Sequence, residues 1–72
     1  MDDVHRRYLE VVLSTAREMD RFARETELEF LHIRTKGGVA NVTYDEGKTT
    51  ITFPIAGTTT TIDELAERLA EE

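Results

Sequence analysis

A run of alternating apolar and polar residues from Leu31 to Phe53, folded back twice at glycine-containing turns, restricts this chain more than any other feature. Strand side chains point alternately to two faces, so a one-residue slip in pairing would turn every apolar group outward. Gly37-Gly38 predicts a two-residue hairpin turn, because glycine accepts the positive φ that such turns use. Asp45-Glu46-Gly47-Lys48 predicts a second turn. With Lys36 opposite Val39, Ile33 faces Val42 and Leu31 faces Tyr44. With Tyr44 opposite Thr49, Val42 faces Ile51 and Ala40 faces Phe53. Both hairpins then place Leu31, Ile33, Ala40, Val42, Tyr44, Ile51, Phe53 and Ile55 on one face. His32, Arg34, Asn41, Thr43, Thr50 and Thr52 fall on the other. This pattern is that of a three-stranded antiparallel meander with one buried face. Its edge strands run from Leu28 to Lys36 and from Thr49 to Ile55, and Pro54 ends the second where a missing N–H does least harm.

The flanking segments read as helices. Over residues 3–24, Val4, Tyr8, Val12, Ala16, Met19 and Ala23 recur at spacings of three and four, with Leu9, Leu13 and Phe22 widening the stripe. Asp2 and Asp3 suit the positive end of the helix dipole, and Arg6/Glu10 and Arg21/Glu25 stand one turn apart. Thr61-Ile62-Asp63-Glu64 fits a capping box, followed by the apolar stripe Ile62, Leu65, Ala66 and Leu69. The expected fold is a single α+β domain over residues 1–72. It has two layers in the order α-β-β-β-α, with both helices on one sheet face. The order resembles that of the double-stranded-RNA-binding domain, which opens its last helix with a lysine cluster. Here Ile62-Asp63-Glu64-Leu65 stands in that place, so the resemblance covers topology and RNA binding is not expected.

Charge and composition narrow the function classes. The net charge is −6, and the segment 62–72 holds five acids against the single base Arg68. Such a balance repels phosphate and disfavours direct nucleic-acid binding. With no cysteine there is neither a disulfide nor a thiolate metal site. No apolar run approaches the roughly 18 residues of a membrane span, and the N-terminus does not read as a signal peptide, so a cytoplasmic protein is expected.

No motif asks for a cofactor or marks a catalytic site. Ser14 stands within a helix without a nucleophile elbow, and Lys36-Gly37-Gly38 is too short for a phosphate loop. His5, with Asp2 or Asp3, lacks a metal-ligand spacing. Two surfaces remain as binding candidates. One is acidic: Asp63, Glu64, Glu67, Glu71 and Glu72 on the last helix with Asp45 and Glu46 on a turn, suited to a basic protein surface. The other is the open sheet face of His32, Arg34, Asn41, Thr43, Thr50 and Thr52, whose ordinary reading is a solvated face rich in strand-forming threonine.

Two functions fit a small non-enzymatic domain of this kind. The agreement of caps, turns and alternation resembles an idealised or de novo designed mini-protein with no evolved activity. Alternatively, the short, acidic, cysteine-free chain is similar in composition to phage anti-CRISPR proteins. A small inhibitor or nucleic-acid mimic would then bind through the acidic residues. Self-pairing through a sheet edge is a further expectation, leaving the chain a monomer or an edge-strand dimer.

Overall fold

The computed structural model describes residues 2–71. The chain folds as α1 (Asp3–Thr26), β1 (Phe30–Thr35), β2 (Gly38–Asp45), β3 (Lys48–Phe53), β4 (Thr58–Thr60) and α2 (Ile62–Glu71). The sheet is antiparallel, in the order β1-β2-β3-β4. The α+β class, the helix order and the single buried face are those expected. The sheet has four strands, where the sequence predicts three. Beyond Phe53 the chain closes a tight turn, with the Gly57 N–H donating to the Phe53 carbonyl at 2.8 Å, and returns as β4 beside β3. β3 is therefore an interior strand, and the sheet edges are β1 and β4. Pro54 belongs to the turn. Ile55, expected on the apolar face, leaves the ladder there and is 87% exposed.

The two-glycine hairpin differs from its expected register by two residues. Thr35 pairs with Gly38, so Ile33 faces Ala40 and Leu31 faces Val42, and Lys36-Gly37 forms the turn. A slip of two leaves each side chain on its expected face, because the strand period is two. The turn so placed sets Gly37 against α1. A Cβ at Gly37 would stand 2.7 Å from Tyr8 Cβ and 2.9 Å from the Val4 carbonyl oxygen, so this glycine lets α1 approach the hairpin. The positive φ falls at Gly38, at 150°. The second hairpin has its expected register, with Tyr44 opposite Thr49 and Val42 opposite Ile51. Its turn residues Glu46 and Gly47 both have positive φ, 50° and 79°, as a primed two-residue turn requires.

The core joins one stripe of each helix to the inner sheet face. Leu9, Val12, Ala16 and Met19 of α1 meet Ala40, Val42, Ile51 and Phe53 of the sheet and Leu65 and Leu69 of α2. Val4 and Phe22, expected in the stripe, are 57% and 44% exposed. They stand at its margins, and Phe22 lies under the Arg21 guanidinium, 5.7 Å from the ring centroid. Asp2 caps α1 by accepting from the His5 N–H at 2.9 Å, and that bond holds its carboxyl below its ordinary pKa. Glu27 ends the helix in the left-handed region at φ 57°. The expected capping box closes differently at Glu64. The Thr61 hydroxyl accepts from the Glu64 N–H at 3.2 Å, while the Glu64 carboxylate accepts from the hydroxyl, not from the backbone, at 3.1 Å. At the far end of α2, Arg6 donates to the Leu69 carbonyl at 3.3 Å, placing a cation against the negative end of the helix dipole.

Candidate functional site

The acidic residues come from two separated segments that the fold draws to one side. Asp63 opens α2 at a surface depression that it shares with Asp20 of α1 and with Gly47, Lys48 and Thr49 at the start of β3. Asp45 and Glu46 stand on the adjoining turn. Asp63, Glu64, Glu67 and Glu71 are all exposed, as are Asp45 and Glu46. Glu72 lies outside the described residues. The carboxylates are not equivalent. Glu64 is engaged in the α2 cap, and Asp20 accepts from the buried Thr49 hydroxyl at 2.8 Å. Among the described residues, Asp45, Glu46, Asp63, Glu67 and Glu71 make no ion pair, since both salt bridges run to Glu10 from Arg6 and Arg7.

The open face carries the six expected residues in corrected rows. His32 lies opposite Asn41, not Thr43, and the row continues to Thr52 and Thr59. The next row is Phe30, Thr43 and Thr50, and Arg34 lies opposite Val39. His32 Nδ1 and Asn41 Oδ1 are 2.6 Å apart, so the imidazole is oriented by an amide and not by a carboxylate. A general base of the usual kind would have an acid in that position.

A third feature, a cleft of about 260 Å³, escapes the sequence reading. Tyr8, Leu9 and Phe53 form its apolar wall, the Val39 backbone borders it, and Ile55 and Arg68 also line it. Tyr8 anchors it, donating its hydroxyl to the Val39 carbonyl and meeting Phe53 edge-on at 6.1 Å. Burial raises the Tyr8 phenol above its ordinary pKa. The available signal was the glycine pair beside Val39, read as a turn when it also admits the Tyr8 ring. The cleft holds one histidine, His5, whose ring packs 5.9 Å from Tyr8, and no carboxylate lines it.

Ser14 is exposed in a depression with Arg6, Glu10 and Arg17, without a histidine beside it. Among the described residues, no three His, Cys, Asp or Glu side chains group to hold a metal ion, and no helix is long and apolar enough to cross a membrane. No family model matches the chain, and neither does any curated protein or solved structure.

Proposed function

We propose that this protein is a non-enzymatic interaction domain that offers its acidic side, α2 with the β2–β3 turn, to a basic protein surface. The observation that carries this reading is the depression where Asp63 of α2 meets Asp20 of α1, with Lys48 as the one base lining it, beside a β2–β3 turn whose Asp45 and Glu46 are exposed. Exposed carboxylates concentrated on one side steer a basic partner and repel nucleic acid. Because Glu64 caps α2, the informative charge reversals are Glu67→Lys and Glu71→Lys, which leave the cap intact. In affinity capture at physiological salt, the natural chain should retain a basic protein that the double variant loses. Titration of that purified protein against both chains should repeat the difference. Equal binding by the two chains would overturn the proposal.

The second reading is an idealised scaffold without evolved activity. The Asp2 and Thr61 caps and the primed turn at Glu46-Gly47 support it. Non-glycine residues at positive φ, Glu27 and Glu46, and the exposed Ile55 weigh against it, since idealised backbones avoid both features. Thermal unfolding separates the readings. A midpoint in the mesophile range, about 45–65 °C, supports an evolved domain, and one above about 90 °C supports the scaffold.

A further inference from the structure

The β1 edge has unsatisfied hydrogen-bonding groups, exposed apolar side chains and a charge pattern that fit a second copy of itself. The Glu29 carbonyl accepts from the Tyr44 N–H at 2.9 Å, which fixes the alternation of the ladder. In an antiparallel pair, every second residue turns its N–H and C=O toward the neighbouring strand. Leu31, Ile33 and Thr35 therefore bond to β2, and Phe30, His32 and Arg34 direct their backbone groups outward. Phe30 is 55% exposed on the open face. On the inner side, Phe22, Leu28 and Leu31 line a groove of about 330 Å³ between α1 and this edge.

Charge runs along the strand from acidic to basic. Glu27 and Glu29 precede it, and Arg34 and Lys36 end it. All four are exposed and, among the described residues, none makes an ion pair. A parallel copy would set like charges together, whereas an antiparallel copy lays the basic end of each strand along the acidic end of the other, with Arg34 on the open face and Glu29, opposite Tyr44, on the inner one. We propose that two copies of this chain join through β1, antiparallel about a two-fold axis at His32, making one continuous sheet from two four-stranded ones.

Of the registers that keep both inner faces on the same side, this one engages all three outward residues. His32 opposes its own copy, and Phe30 opposes Arg34, so a guanidinium meets an exposed ring. On the inner face Leu31 opposes Ile33, and each covers the other beside the groove. Centring the axis on Ile33 would instead oppose His32 to Arg34 and leave Phe30 uncovered. Dimerisation through β1 leaves α2 and its acids free, while Glu27 and Glu29 share a depression with Asp45 and Glu46 of the turn. The β4 edge is only three residues long and runs directly into α2, which makes it the poorer template.

The absence of native cysteine permits a direct test of the register. Opposed residues in a hydrogen-bonded pair have Cα atoms about 5.5 Å apart, within disulfide reach. Under mild oxidation the His32→Cys chain should become a covalent dimer. Phe30→Cys and Arg34→Cys should each fail to link alone, because like positions lie roughly 14 Å apart, but should link to each other when mixed. On the unmodified chain, sedimentation from about 1 µM to about 1 mM should show the mass rise from 8.2 kDa toward twice that value. The R34E/K36E and E27K/E29K chains should each lose the dimer and regain it when mixed. A monomeric mass throughout, a dimer indifferent to these charge changes, or equal linking at all three cysteine positions would overturn the proposal.

Discussion

Gly37 and Tyr8 are where α1 comes close to the first hairpin, and each can be tested by a single substitution. An added methyl at Gly37 meets Tyr8 Cβ and the Val4 carbonyl oxygen below 3.0 Å, and both belong to the packed helix. Gly37→Ala should cost about 1–3 kcal/mol in denaturant unfolding, the usual cost of overpacking. A loss under about 0.5 kcal/mol, normal for a surface site, would contradict this packing. Tyr8 supplies a pH dependence. Burial favours the neutral phenol, so the folded state holds its proton more tightly than the unfolded chain. That contribution is intact below the ordinary phenol pKa of about 10 and is lost as pH rises through the raised folded value. Tyr8→Phe should be less stable near neutrality, having lost the bond to Val39, and should show a shallower alkaline decline. Urea midpoints between pH 8 and pH 11 measure both effects.

At the scale of elements, turns and caps set the geometry. Glu46 occupies a left-handed position in the β2–β3 turn, where asparagine is preferred. Glu46→Asn should raise stability by up to about 1 kcal/mol, read as a higher midpoint with unchanged slope. No gain would mean that this turn is not of the primed type. The helices, the second hairpin and both sheet faces were legible because periodicity and turn chemistry carry them. The first hairpin was legible in its faces but not its register. In the sequence Gly37 signals a turn, whereas its absent side chain also serves the approach of Tyr8 from far away in the chain. Thr58-Thr59-Thr60 has no apolar alternation and becomes β4 only by pairing with Phe53, Thr52 and Ile51. Val4, Phe22 and Ile55 fit the apolar stripe or face in sequence yet lie exposed, because that fit reveals nothing about where the neighbouring layer ends.

At the scale of the whole molecule, two sides of the domain differ in what they offer. The acidic side sets Asp63 and Asp20 around one depression beside the β2–β3 turn, an arrangement that depends on β4 returning the chain to the sheet. The acids were legible as a charge excess, but their meeting place was not. The β1 side combines outward backbone groups with a strand whose ends carry opposite charge. The β1 description rests on the alternation of the β1 ladder and on which of its residues face outward. Amide hydrogen exchange followed residue by residue tests that point most directly. In dilute solution, Leu31 and Ile33 should be protected while Phe30, His32 and Arg34 exchange freely, and the latter three should gain protection as concentration rises. Protection of His32 and Arg34 in dilute solution, or free exchange at Leu31 and Ile33, would contradict the register. Unchanging free exchange at His32 up to about 1 mM would leave the fold standing and rule out the dimer.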